Sequence, residues 1–135
     1  MENLYNTGIK FAPQLLILVF ITITFLQSGI EKITDWQGNV SFLKDHFAKT
    51  FLRNSVPLLL IIILVSEVIV GFLSIVGIIQ VYISESTTIG FLAAVIASKI
   101  LLMLLFGQRV AKDYAGAMTI VVYFMVTVFG VYILR

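Results

Sequence analysis

Four long apolar runs divide the chain, separated by short polar stretches. They cover about residues 11–33, 56–83, 88–106 and 114–134. The second, VPLLLIIILVSEVIVGFLSIVGIIQVYI, is the longest at 28 residues. As a helix it reaches about 42 Å, more than the roughly 30 Å core of a bilayer requires, so it can span with tilt or overhang. Pro13 and Pro57 fall in the first turns of the first two runs, where a missing N–H costs little. The pattern predicts four membrane-spanning helices in up-down order.

The stretch between the first two runs differs in kind. In NVSFLKDHFAKTFLRN, Leu43, Phe47 and Phe51 recur at steps of four, with Phe42 and Leu52 alongside. Lys44, Asp45, Lys49 and Arg53 fill the other side. This predicts an amphipathic helix over residues 41–52, too short and charged to span, lying along the interface as a lid or a passive linker. The opening MENLYNTGIK reads as a short polar segment, and Trp36 as an interfacial anchor. The expected fold class is all-α: an integral membrane four-helix bundle, one domain over residues 1–135, with a short interfacial amphipathic helix between spans one and two.

Composition sets the environment. The chain is 60% hydrophobic and only 12% charged, whereas soluble domains carry about 25% charged residues. A lipid bilayer is therefore the expected surrounding. A net charge of +2 with scattered basic residues gives no footprint for nucleic acid. The absence of cysteine excludes disulfides, thiol redox chemistry and Cys-ligated metals. With His46 as the single histidine, one chain can build neither a haem-ligand pair nor a His-based metal site. No phosphate-binding glycine loop or Ser–His–Asp set is in place either. Lacking a basic n-region and a small-residue cleavage site, the first run reads as a retained span rather than a signal peptide.

What chemistry remains lies in the charges inside the spans. Glu67 sits about 16 Å from the start of the second run, near mid-membrane, where an ionisable group costs roughly 2.5–3.5 kcal/mol on insertion scales. Gly71, Ser74 and Gly77 continue its helical stripe, and small residues on one stripe mark close helix contact in lipid, so Glu67 is expected to face protein. Alternating spans bring the polar groups to one membrane face, with Gln27 about 9 Å deep, Lys99 about 12 Å and Tyr123 about 13 Å. Glu31, Arg109, Asp113 and Tyr114 fall at the rim. The candidate cluster is thus Gln27, Glu31, Glu67, Lys99, Arg109 and Asp113. Lys99 has two options: to pair with Glu67, or to extend to the rim and meet Glu31 or Asp113. Two readings stay open. One is a polar pocket for a small polar ligand, a proton or a quinone head-group; the other is a structural ion pair that fixes helix register.

A resemblance rests on short strings. FLQSGIEKITD at residues 25–35 resembles the end of the first span in the DoxX family of membrane proteins, where a Ser-Gly step precedes a charged residue, lysine and an apolar position. The likeness continues through FLKDHF, Pro57, and Glu67 followed by Gly71 and Gly77. GQRVAKDYAGA, at residues 107–117, is the most distinctive local string and has no assigned role. The resemblance implies a non-catalytic accessory subunit of a larger membrane protein complex, quinone- or redox-linked as in thiosulfate:quinone oxidoreductase, in a bacterial inner membrane. It implies no intrinsic cofactor, a quinone being the one it brings into view. The wider four-helix group includes the vitamin K epoxide reductase type, whose chemistry uses cysteines; that activity does not carry over. The competing expectation is a small-molecule- or proton-binding membrane protein, alone or as a homo-oligomer, with a polar pocket built round Glu67 and Lys99.

Orientation is contested at this level. Lys32, Lys44, Lys49, Arg53, Arg109 and Lys112 fall on one face, against Lys10 and Arg135 on the other. The positive-inside rule then makes the first and third loops cytoplasmic. The family resemblance implies the opposite.

Overall fold

The computed structural model describes residues 2–135, and every regular element among them is a helix. These are α1 (Glu2–Lys10), α2 (Ala12–Thr34), α3 (Trp36–His46), α4 (Val56–Ser84), α5 (Thr88–Val110) and α6 (Tyr114–Leu134). The helices α2, α4, α5 and α6 are long and apolar enough to cross a membrane. They pack as a bundle in which α2 lies along α4, α4 along α5 and α5 along α6, and α6 closes back on α2.

The bundle wears its apolar side chains outward. Leu58, Ile61, Ile62, Val65, Ile69, Phe72, Val76 and Ile79 of α4 are all exposed, while Glu67, Gly71, Ser74 and Gly77 of the same helix are buried. Lipid, as apolar as leucine, does not drive large side chains inward, so small residues can take the closest contacts, while Leu18, Ile21, Phe25, Ile100 and Leu134 fill the core. At the tightest crossing, a Cβ added to Gly77 would stand 2.9 Å from the Gly90 backbone.

The turns are made by side chains that satisfy helix ends. Gln80 Oε1 accepts the Ile89 N–H at 2.9 Å at the start of α5, and the Thr87 hydroxyl donates to the Leu134 carbonyl at 2.7 Å at the end of α6. Between them, Glu85 ends α4 in the left-handed region with φ 52°. At the opposite end, Asp113 caps α6 by accepting the Gly116 N–H at 2.9 Å. These contacts gather the ends of α4 and α6 with the start of α5, and Gln14 Nε2, donating to the Ile133 carbonyl at 3.4 Å, adds the start of α2, the alternating order expected of the spans.

Two expectations change. The helix expected over residues 41–52 is displaced: α3 begins at Trp36, and from Phe47 the chain runs in successive turns to Val56. Asp35 accepts the Gly38 N–H at 3.3 Å and starts α3 directly after α2. Thr50 stops any continuation, because its hydroxyl bonds the Phe47 carbonyl at 2.9 Å and accepts from the Leu52 N–H at 3.2 Å. Such local side-chain bonds compete with the helical ladder. The opening segment, expected merely to be polar, forms α1. Its Gly8 lies beside the Tyr82 hydroxyl, and its Lys10 pairs with Glu85 at 2.9 Å.

Candidate functional site

Among the described residues, one ionic centre lies inside the bundle, between α2 and α4. Ser28 and Lys32 are four residues apart on α2 and so share a face. That face turns to Glu67, which is 2% exposed. Lys32 Nζ donates to Glu67 Oε2 at 3.0 Å and to Oε1 at 3.2 Å. The Ser28 hydroxyl donates to Oε1 at 3.1 Å and itself accepts from Lys32 Nζ at 2.7 Å. A carboxylate, an ammonium and a hydroxyl thus form a closed triangle. Both ionic groups are paired and hydrogen-bonded, the condition under which charge is tolerated away from water.

Beside the triangle opens a cavity of about 550 Å³ that α2, α4, α5 and α6 all line. Glu67 and Ser28 form its polar wall, with Gln27, Thr24 and Glu31. Phe25, Leu101, Leu104 and Ile120 make the apolar walls, and the rings of Phe20 and Tyr123, 6.1 Å apart, complete them. Among the described residues, the side chains of Thr24, Gln27, Glu31 and Tyr123 make no hydrogen bond. Lys32 and Ser28, by contrast, are already bonded to Glu67.

Further along the bundle the polar contacts are self-contained. Thr22 and Ser74 share a 2.6 Å hydrogen bond between α2 and α4, and Ser98 donates to Thr127 at 3.0 Å between α5 and α6. At the rim, His46 Nε2 lies 3.0 Å from Gln108 Oε1 and 3.6 Å from Asp113 Oδ2. Phe47 reaches Gly107. The end of α3 is therefore tied to the α5–α6 turn.

The expected cluster divides in two. Gln27, Glu31 and Glu67 line one cavity, and Tyr123 joins them. Lys99, Arg109 and Asp113 do not. Lys99 is exposed on the outer face of α5 and pairs with neither Glu67, Glu31 nor Asp113 among the described residues. Arg109 lies over the Tyr114 ring at 5.4 Å, and Asp113 is a helix cap beside His46. The cation for Glu67 is Lys32, which depth alone did not single out. Among the described residues, no three His, Asp or Glu side chains gather where they could hold a metal ion.

No family model, curated protein or solved structure matches this chain. Its class is that of a multi-pass membrane protein with a four-helix bundle.

Proposed function

We propose that the chain binds a small amphipathic molecule inside the membrane, in the cavity beside Glu67. The observation that carries this reading is the cavity itself: about 550 Å³, lined mostly by apolar and aromatic side chains, with a buried carboxylate in its polar wall. Small-molecule sites of roughly 300–1,000 Å³ have this make-up, mostly apolar with a few convergent polar groups. The chemistry on offer favours a neutral head with oxygen acceptors. The Thr24 hydroxyl, the Gln27 amide and the Tyr123 hydroxyl are the free donors, whereas the one ammonium, Lys32, is already satisfied. A quinone head-group fits that description. Its ring would lie against Phe20 and Tyr123, with its tail leaving between the helices into lipid.

Decylubiquinone, added to the purified protein in detergent, tests this. It should raise the thermal midpoint of the wild type. Tyr123→Phe should weaken the effect and Leu104→Trp, which fills the cavity, should abolish it. An equal rise in the wild type and Leu104→Trp would show that the probe binds elsewhere. If decylubiquinone has no effect, yet mass spectrometry finds another stoichiometric amphiphile that Leu104→Trp loses, the quinone falls and the cavity stands.

A second reading has its own support: a non-catalytic subunit of a larger assembly in a bacterial inner membrane, as the likeness to DoxX proteins implies. It is favoured by Lys99, a charge on the outer face of a spanning helix where lipid offers no counter-ion. The two readings are compatible, because cavity and lysine lie on different faces of α5.

A further inference from the structure

We propose that the outer face of α5 around Lys99 receives a transmembrane helix of a different protein, one carrying a single Asp or Glu at mid-membrane depth. The proposal rests on the subunit reading and names the partner's chemistry.

Depth comes first. Lys99 is eleven residues from either end of α5, Thr88 or Val110, about 16 Å each way. Side chains on a helix lean toward its N-terminus. The Lys99 stem therefore leans away from the face at which Gln108, Arg109 and Lys112 gather. Toward the other face the four-carbon stem falls well short of polar surroundings. Leu92, Leu102, Met103 and Phe106 surround it on the exposed side of the helix. Extension to water is thus disfavoured in both directions, and the ammonium needs a partner at its own level.

The chain cannot supply that partner, nor can a second copy of it. Of its seven carboxylates, Glu2, Glu31, Asp35, Asp45, Glu85 and Asp113 belong to the ends of the bundle. Glu67 alone lies at the right depth, but it is 2% exposed and already bonded to Lys32 and Ser28. Anionic lipid heads stay at the interface. The complement to Lys99 is therefore a carboxylate carried into the bilayer by another protein's helix. The face around it has the side chains to pack such a helix and no other charge to repel it.

The test uses the full chain, donor-labelled and reconstituted in phosphatidylcholine vesicles. Acceptor-labelled polyleucine helices of about 21 residues, long enough to span, serve as probes. One carries a central Glu, one is all leucine, and one has its Glu moved about two turns toward an end. Energy transfer should show the central-Glu helix binding tighter than the all-leucine helix by about fivefold to thirtyfold, the range of polar contacts between model helices in lipid. The displaced Glu should lose that advantage. Lys99→Met should erase it and Lys99→Arg keep it, with both variants retaining the wild-type thermal midpoint because the site faces outward. Equal binding of the central-Glu and all-leucine helices overturns the proposal. So does an advantage that survives Lys99→Met, or a Lys99-dependent self-association without any probe. Should the chain crosslink to another protein in its native membrane whatever stands at position 99, the subunit reading survives while the role of α5 falls.

Discussion

Glu67, 2% exposed, accepts three hydrogen bonds, and all three come from one turn of α2. Removing one member of such a pair leaves the other charge buried alone, at a typical cost of about 3–5 kcal/mol. Glu67→Gln and Lys32→Met should each lower the thermal midpoint in detergent markedly. The double variant should recover most of the loss, because both desolvation costs vanish together. Glu67→Gln with Lys99→Met should instead be additive, since the structure keeps those side chains on different faces of the bundle. Recovery by the Lys99 change and not the Lys32 change would overturn the assigned pairing. Half of this site was legible beforehand. That Glu67 faces protein followed from Gly71 and Ser74 on its stripe. The pairing with Lys99 rested on depth, and depth ignores azimuth. At about 100° per residue, Lys99 lies on the side of α5 opposite Ala97 and Leu101. The inward stripe Gly90, Ala93, Ala94, Ala97 carried that signal. Ser28 and Lys32, four apart, were the matching signal on α2.

Between elements, the closest approach belongs to glycine. A Cβ on Gly77 meets the Gly90 backbone, which cannot rotate aside, so Gly77→Ala must push α4 from α5. Overpacking of this kind costs about 1–3 kcal/mol. At Gly71 the new Cβ would run into Cδ2 and Cγ of Leu26, a side chain that must swing to another rotamer but, unlike backbone, is able to. Gly77→Ala should therefore lower the thermal midpoint more than Gly71→Ala, and the opposite order would mean that this crossing is looser than the structure has it. Long elements were the legible ones. Each spanning run has a length and polarity that only a membrane helix satisfies. The short elements depend on what they touch. Nine residues are too few for a helix to stand alone in water, and α1 gains its footing from Tyr82 and Glu85 at the end of α4. The period of four in Leu43, Phe47 and Phe51 extended past the true end of α3, because periodicity does not register the bonds that Thr50 makes with its own backbone.

At the scale of the whole molecule, charge is distributed unevenly between the two ends of the bundle, and that asymmetry bears on orientation. Lys32 sits within the bundle, paired with Glu67, and so drops out of the loop count. Lys44, Lys49, Arg53, Arg109 and Lys112 remain at the end that holds α3, against Lys10 and Arg135 at the other. The positive-inside rule weighs basic residues in short loops and largely ignores acidic neighbours, so Asp45 and Asp113 do not cancel the bias. The first and third loops are thus expected in the cytoplasm and both ends of the chain outside. Because the chain has no cysteine, single cysteines report without background. Lys49 and Arg135 are exposed and lie at opposite ends of the bundle. In intact cells a membrane-impermeant thiol reagent should label Arg135→Cys, and should reach Lys49→Cys only after the membrane is permeabilised. The reverse pattern would overturn the charge count and place α3 and the turns that follow it on the outer side. Labelling of both positions from the same side would remove the four-span arrangement itself, since an even number of crossings from the first loop to position 135 is incompatible with α4, α5 and α6 each traversing the bilayer once.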